Sequence, residues 1–442
     1  MRTWIKDPLA IFAEGAGRGV VVEGTRIAAL VKTGETPERI DAVFDASRHV
    51  VLPGLVNAHH HFFQTLTRAH PSAINKPLFP WLKSLYPIWS RLKPHHLRLA
   101  TRVALTELLM SGCTTAADHH YLYPKGLEDA VDIEVDETLG LGMRMTVSRG
   151  SMNLSVKDGG LPPDSVVQDE ETILADSERV LKKFHDPNPG SPIRVALAPC
   201  SPFSISKNLM IESARLAERY DCQLHTHLCE TDDEEQFCLD RYGLRPVDLL
   251  EETGWMSSRV WLAHGIHFNA EEIARLGKAG IGVCHCATSN MVLASGVCRT
   301  CELEAAGVAV GLGVDGSASN DSSNMMEAVR HALIIGRLRY GADRVTHLKA
   351  LRWATEGSAR CLGRTDIGRI EPGYEADLAL FTLDELRFSG AHDPLAALVL
   401  CGAHRADRVM VAGEWRLVDG MPAGHDVGAL IALHKDFARD FA

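Results

Sequence analysis

The feature that most constrains the fold is an alternation of buried, strand-like segments with amphipathic helical segments. The strand-like segments lie at 55–61, 114–119, 143–149, 194–199, 222–227, 260–264, 280–286 and 308–315. Helical patterns lie between or after them at 97–110, 176–183, 209–219, 270–278 and 324–339. This α/β alternation predicts a (β/α)8 TIM barrel, whose catalytic groups gather at the carboxyl ends of the strands.

Both chain ends have a different texture, with short strand-like runs separated by glycine-containing turns. Such runs lie at 19–22 and 26–30, and again at 377–381 and 408–412. Short runs bounded by turns are typical of small β-strands. We therefore predict a small β-sandwich domain built from residues 1–52 and 367–442, and a metal-dependent catalytic barrel at 53–366.

The composition limits the kinds of partner. Apolar residues make up 45% of the chain and charged residues 23%, as in an ordinary folded protein. The formal charge of −11 argues against nucleic acid or an anionic membrane, because both favour a basic surface. No apolar run reaches the roughly 18 residues that a membrane helix requires. We expect a small neutral or cationic molecule as the partner.

The cysteines indicate the redox compartment. The chain has 11 of them, an odd number, and its N-terminus has no signal-peptide pattern. Both features favour free thiols in a reducing cytoplasm. Cys284, Cys286, Cys298 and Cys301 superficially imitate a structural zinc site, but the first continues a buried strand, so we interpret them as small core residues.

Imidazoles and a carboxylate stand at the ends of the strand-like segments. His59 and His61 end the first segment and would share one face of a strand. Either His225 or His227 could serve from the fifth segment, and His227 is preferred because it lies closer to the strand end. Imidazole and carboxylate donors suit a catalytic zinc ion, and Fe²⁺ or Mn²⁺ would also accept them. We predict a divalent metal site formed by His59, His61, His227 and Asp315.

Two carboxyl groups stand where acid–base chemistry would need them. A metal-activated water needs a group that accepts its proton, and the substrate needs a group that protonates its leaving side. Asp315 ends the eighth segment, and Glu230 follows His227 by three residues and would overhang the metal. Glu230 could instead be an exposed loop acid, since residues 232–235 are all acidic. We predict that Asp315 and Glu230 perform the two proton transfers.

The motifs around these residues resemble the amidohydrolase superfamily over nearly the whole chain. They read PG at 53–54 before HHH at 59–61, HTHLCE at 225–230, AHGIH at 263–267 and GVDGSASN at 313–320. They are most similar to the mononuclear aminohydrolases, which include guanine, cytosine and S-adenosylhomocysteine deaminases and triazine hydrolases. By the same resemblance, the absence of a lysine from the fourth strand-like segment, at 194–199, implies one metal per subunit. The resemblance also implies that Asp315 accepts the proton of the attacking water, Glu230 carries protons to a ring nitrogen and His264 polarises the attacked carbon.

Departures from the adenosylhomocysteine-type deaminases bear on the substrate. Those proteins have a ribose-binding acid on the first long loop, where this chain has Trp89, and a histidine where it has Cys200. A free flat heterocycle is therefore favoured over a nucleoside. Gln64 offers an amide donor and acceptor to a purine-like edge, and Arg149 could meet a ring carbonyl. Each could instead satisfy loop backbones at the barrel rim.

The runs 59–69 and 199–204 most resemble the 8-oxoguanine deaminases, which also act on isocytosine-type rings. Our hypothesis is the conversion of 8-oxoguanine to urate and ammonia. A hydroxytriazine aminohydrolase of the hydroxyatrazine type and a deaminase of guanine or another aminopurine are the alternatives. An inactive scaffold protein on the same fold is the alternative of another class. The resemblance also implies a homo-oligomer.

Overall fold

The elements of the fold alternate along the chain largely as expected. The computed structural model describes residues 1–441. The strands are β1 (Arg2–Lys6), β2 (Ala10–Ile11), β3 (Gly19–Glu23), β4 (Arg26–Leu30), β5 (Ala42–Asp45), β6 (His49–Pro53), β7 (Leu55–Asn57), β8 (Cys113–His120), β9 (Arg144–Ser151), β10 (Ile193–Pro199), β11 (Gln223–Leu228), β12 (Val260–His264), β13 (Gly282–His285), β14 (Ala309–Leu312), β15 (Leu378–Thr382), β16 (Arg408–Val411), β17 (Glu414–Val418) and β18 (Met421–Pro422).

The helices surround the strands and cover the carboxyl ends of the central sheet. The α-helices are α1 (Leu78–Trp89), α2 (Pro94–Met110), α3 (Ala130–Leu141), α4 (Glu170–Phe184), α5 (Lys207–Tyr220), α6 (Asp232–Tyr242), α7 (Pro246–Glu252), α8 (Ala270–Ala279), α9 (Ala287–Val292), α10 (Thr300–Ala305), α11 (Met325–Tyr340), α12 (His347–Arg352), α13 (Ser358–Cys361), α14 (Pro394–Leu400) and α15 (Val427–Phe441). Short 3-10 helices lie at Phe62–Thr67, Val156–Asp158, Asp164–Val166 and Leu386–Phe388, and a π-helical turn lies at Trp353–Gly357. Within residues 1–441, no helix combines the length and apolar character needed to cross a membrane.

The central sheet is a parallel barrel. Strands β7 to β14 pair in chain order, each parallel to its neighbour. The two edges meet where Ala58 N donates to Leu312 O at 2.9 Å and Asp315 N donates to His59 O at 3.0 Å. Strands β8 and β9 are buried along their whole length, as expected for strands covered on both faces. The predicted (β/α)8 barrel is confirmed.

Two further sheets use both chain ends. One has the strand order β4-β3-β1-β5 and the other the order β18-β17-β16-β15-β6-β2. Ile5 and Val20 from the first sheet share a buried core with Val51, Leu378 and Leu380 from the second. The predicted β-sandwich from both termini is therefore confirmed as an architecture, while the domain limits at 52 and 367 remain a prediction.

The ends of the first and last barrel strands differ from the prediction. Strand β7 ends at Asn57 and β14 ends at Leu312, so His59, His61 and Asp315 lie beyond the ladder rather than on it. The interpretation of 55–61 and 308–315 as continuous strands is wrong at these ends. Asp315 has a φ of +66°, a left-handed conformation that a strand does not contain. The loops, not the strand pleat, bring these side chains together.

Candidate metal centre and active site

Four side chains converge at the carboxyl end of the barrel. Asp315 Oδ1 lies 3.4 Å from His59 Nε2 and 3.3 Å from His61 Nε2. His61 Nε2 lies 3.2 Å from His227 Nε2. Two ligands of one tetrahedral ion with bonds of about 2.0–2.1 Å lie about 3.3–3.4 Å apart, which these separations match. His59 Nε2 is buried and has no hydrogen-bond partner within residues 1–441. The four residues therefore fit a single divalent ion.

The outer nitrogens of two imidazoles are held by main-chain carbonyls. His61 Nδ1 donates to His119 O at 2.8 Å, and His227 Nδ1 donates to Cys200 O at 2.7 Å. A proton on Nδ1 leaves a lone pair on Nε2, directed at the centre of the cluster. This arrangement is usual around metal-binding histidines, because it fixes both the tautomer and the ring orientation.

His225 supports His59 from outside the cluster. His225 Nδ1 donates to Trp261 O at 2.8 Å, so its Nε2 is free to accept the proton of His59 Nδ1, also at 2.8 Å. Its ring stacks on Trp261, with centroids 4.2 Å apart. The structure thus brings His227, and not His225, to the cluster, as the sequence analysis preferred.

Left-handed backbone conformations direct the chain at the site. Cys229, His264 and Asp315 have φ values of +53°, +72° and +66°. For a residue with a Cβ atom, such a conformation costs of order 1–3 kcal/mol and persists where the surrounding structure holds it. At Gly316 the restriction is steric and not conformational, since a Cβ there would lie 1.9 Å from Gln64 Oε1. A glycine after Asp315 therefore makes room for Gln64.

Glu230 overhangs the cluster, and its surroundings favour the protonated form of its carboxyl group. Its Oε2 lies 3.5 Å from His264 Nε2. Burial, and then the negative charges of Asp315 and Glu234, hold the pKa of Glu230 well above its usual range. Glu234 supports this loop by accepting hydrogen bonds from Cys229 N at 2.7 Å and Glu230 N at 3.3 Å. Glu230 is therefore set up to hold and donate a proton.

His264 is oriented by a side chain from the next helix. Asn290 Nδ2 donates to His264 Nδ1 at 2.9 Å, which leaves the imidazole proton on Nε2. Burial lowers the pKa of His264 to about 4, so the ring is a neutral donor near pH 7. Its Nε2 faces Asp315 Oδ2 at 3.9 Å as well as Glu230.

A small cavity of about 30 Å³ opens onto these groups. It is lined by His61, Gln64, Leu78, Trp81, Leu82, Tyr86, Tyr121, Cys200, Phe203, His227, Glu230, His264, Leu293, Asp315 and Ser319. The lining combines aromatic rings with few polar groups, as small-molecule sites usually do. Gln64 Oε1 accepts from Ala318 N at 3.2 Å, whereas its Nε2 has no partner in the described part of the chain. Gln64 therefore presents a donor, and not both functions of its amide, to the cavity.

Two of the expected substrate contacts lie elsewhere. Trp89 is fully buried behind the cavity wall, and its Nε1 donates to Thr67 Oγ1 at 3.1 Å. Arg149 points away from the cavity, toward Asp176 Oδ2 at 2.6 Å and Gln168 Oε1 at 2.8 Å. The aromatic wall expected from Trp89 is supplied by Trp81 and its neighbours, and Arg149 is not among the lining residues.

Several further residues take part in the site without a strong signal in the sequence. His119 and Tyr121 have one residue between them at the end of β8, and strand alternation there could have indicated that both face inward. The Tyr121 ring meets His61 edge-on, with centroids 5.1 Å apart. Strand alternation gives no such indication for Asn290 and Glu234, because the positions of α9 and α6 decide which residues they contact.

Known proteins are similar to this chain over most of its length. The chain is 64% identical over 438 residues to the 8-oxoguanine deaminase of Pseudomonas aeruginosa, covering 98% of both proteins. It is 40% identical to the hydroxydechloroatrazine ethylaminohydrolase of a Pseudomonas species, covering 82% of this chain and 77% of that protein. The crystal structure of atrazine chlorohydrolase from Arthrobacter aurescens, complexed with zinc, superposes with a TM-score of 0.93 at 29% identity, covering 99% of this chain and 100% of that one. A sequence profile of the amidohydrolase family matches residues 50–416, and this protein is a member of that family.

Proposed function

We propose that this protein is a metal-dependent aminohydrolase that converts 8-oxoguanine to urate and ammonia, and that isocytosine-type rings are further substrates. The observation that carries the proposal is the 64% identity, over 98% of both chains, to an 8-oxoguanine deaminase. The converging imidazoles and carboxylates support a catalytic protein, in contrast to an inactive scaffold, which would be expected to lack some of them.

Zinc is the metal we propose, held by His59, His61, His227 and Asp315, although Fe²⁺ or Mn²⁺ would suit the same donors. The zinc in the structurally similar atrazine chlorohydrolase supports this choice. A zinc ion bound there would lower the pKa of a water molecule to about 7 and so supply a nucleophile at neutral pH.

The roles of the side chains follow from their positions around the cavity. Asp315 accepts a proton from the attacking water, which adds to the ring carbon that carries the amino group. Glu230, protonated because it is buried among negative charges, donates to the adjacent ring nitrogen. His264 Nε2–H polarises the attacked centre. The proton taken by Asp315 then reaches the amino group, which leaves as ammonia, and the added hydroxyl returns a proton to Glu230 as it becomes the ring carbonyl.

The cavity supports a flat, free heterocycle as substrate. Trp81, Tyr86, Tyr121 and Phe203 offer ring faces or edges to a planar molecule. The amide N–H of Gln64 would meet an acceptor on that molecule, such as a ring carbonyl oxygen or an unprotonated nitrogen. Cys200 gives this side of the cavity a small, weakly polar wall.

A parallel assay tests the proposal. Metal-loaded protein is incubated with 8-oxoguanine, isocytosine, guanine, a pterin and hydroxyatrazine, and ammonia or the released alkylamine is measured. We expect the highest kcat/KM with 8-oxoguanine. Turnover of hydroxyatrazine alone would favour the triazine aminohydrolase alternative, which is supported by the 40% identity to an ethylaminohydrolase. No turnover of any ring would favour the scaffold.

We also propose that the protein is a cytoplasmic homo-oligomer. All 11 cysteines of the chain are free thiols in the structure, which supports a reducing compartment. On α11, Leu338 is 82% exposed and Ile334 is 47% exposed, and apolar side chains of this kind support a subunit contact. Light scattering of the purified protein tests the assembly, and a monomeric mass would contradict it.

A further inference from the structure

A second group of buried polar side chains lies on the outer side of the barrel wall, between β8 and α3. Asp118 and His120 come from β8 and Glu134 comes from α3. One potential ligand atom from each lies within 4.8 Å of the other two. His119, between the two strand residues, lies among the active-site imidazoles, so the strand itself separates this group from the active site.

Four atoms of this group have no hydrogen-bond partner within residues 1–441. They are Asp118 Oδ2, His120 Nδ1, Glu134 Oε1 and Glu134 Oε2, and all three side chains are at most 1% exposed. No lysine or arginine of the described chain forms an ion pair with either carboxylate. Isolated buried carboxylates are costly, so something must offset the charge or remove it.

The other polar atoms of Asp118 and His120 form hydrogen bonds, and these bonds show which atoms still lack a partner. Asp118 Oδ1 accepts from Phe62 N at 2.6 Å. His120 Nε2 donates to Leu122 O at 2.7 Å, which leaves a lone pair on Nδ1. The group therefore brings one ligand atom from each of three residues together, and its four unpaired atoms are all acceptors.

The separation of His120 from Glu134 is that of two ligands of one cation and not that of a hydrogen bond between them. His120 Nδ1 lies 3.5 Å from Glu134 Oε1. A hydrogen bond from a protonated carboxyl would be about 2.5–3.0 Å long. Two ligands of one cation with bonds of about 2.0–2.2 Å would lie about 3.3–3.6 Å apart. The separations of 3.2–3.4 Å in the active-site cluster have the same character.

We propose that Asp118, His120 and Glu134 bind a second divalent cation, which has a structural role. One imidazole nitrogen and three carboxylate oxygens form a donor set that suits Zn²⁺ or Mn²⁺. The ion neutralises both carboxylates. Because Asp118 also holds Phe62 N, the ion ties β8 and α3 to the turn that follows His61.

Protons are the competing occupants. Burial raises the pKa of Asp118 to about 7, and burial together with the charge of Asp118 raises that of Glu134 well above its usual range. Without a cation, the pair would therefore take up protons near neutral pH.

Metal counting and anomalous diffraction on the wild-type protein separate the two occupants. The protein is reconstituted with Zn²⁺ and, separately, with Mn²⁺, and is dialysed before elemental analysis. We expect about two ions per chain and, in crystals, a second anomalous peak between β8 and α3. One ion per chain and a single peak at the active site with both metals would overturn the proposal.

Variants assign the second ion to its ligands. Glu134→Gln should reduce the content to one ion per chain, and His227→Ala should leave the peak between β8 and α3 in place. Glu137→Gln is the matched control, because Glu137 lies on the same helix but pairs with Arg98 and Arg102. It should retain two ions. An unchanged content of two ions in a folded Glu134→Gln protein would place the second ion elsewhere and overturn the assignment, whereas one ion throughout, with loss of a protonated-carboxyl infrared band in that variant, would identify protons as the occupants.

Discussion

The contact between His59 and His225 allows a quantitative test of how the metal cluster is supported. In His225→Phe, the ring stacking on Trp261 is kept, but His59 Nδ1–H loses its acceptor in a site where His59 is 1% exposed. An unsatisfied buried donor costs about 1–3 kcal/mol. Loss of a hydrogen bond that orients a metal ligand typically lowers metal affinity about 10–100-fold, which is of the same size.

The assay is a competition between the protein and a zinc chelator of known affinity, followed by turnover with zinc in excess. We expect the zinc Kd of His225→Phe to rise about 10–100-fold, while kcat at saturating zinc falls much less. His225→Gln is the matched control, because its amide oxygen can still accept from His59. Complete loss of zinc, as expected for His227→Ala, would mean that His225 is itself a ligand, and an unchanged Kd would refute the supporting role.

Four further predictions follow from the site. Asp315→Asn should abolish turnover while the circular dichroism spectrum stays unchanged, and an active variant would refute its role as proton acceptor. Cys200→Ala should change the ratio of kcat/KM between substrates but not the zinc content, because the carbonyl that holds His227 remains; zinc loss would contradict this. Arg149→Met should lower the free energy of unfolding by about 1–3 kcal/mol, because Gln168 and Asp176 lose a buried hydrogen-bond donor while Asp176 keeps its pair with Arg179, and KM should be nearly unchanged, as denaturant titration and kinetics can measure. Burial raises the pKa of Glu234 from 4.5 to about 7, so the stabilisation that Glu234 contributes is present below pH 4.5 and is lost as the pH rises to 7. Between these pH values the free energy of unfolding of the wild-type protein should fall by about 3 kcal/mol through this group, and Glu234→Gln should remove that decline. Parallel plots of unfolding free energy against pH for the two proteins would contradict the reasoning.

The barrel and the positions of its active-site residues could be predicted because their signals are local. A buried parallel strand is a short apolar run, and eight such runs alternating with helical patterns admit few architectures. The groups that approach the cavity then follow from the rule that barrel strands end at one face. The convergence of His61, His227 and Asp315 could be predicted in this way, even though two of the three lie past the strand ends, and their roles remain a prediction.

The direction of single side chains at those ends could not be predicted in the same way. A shift of one residue along a strand reverses the face to which a side chain belongs. Arg149 faces outward to α4, where Asp176 binds it, and not inward to the substrate. Trp89 lies one layer behind the cavity because α1 turns Trp81 and Tyr86 toward it instead. Both outcomes depend on how a helix or loop packs on the strand.

The sequence by itself determined the fold class, the accessory sandwich from both termini and the residue types of the metal cluster, since periodicity and residue chemistry are properties of the local chain. Only the tertiary structure decided that His225 supports His59 while His227 joins the cluster. The same holds for Glu234 and Asn290, which orient Glu230 and His264. The His59–His225 and His264–Asn290 hydrogen bonds join residues 166 and 26 positions apart, and such contacts exist only once the elements have packed. The contact of Glu234 with Glu230 is local, but the geometry of the loop before α6 decides it.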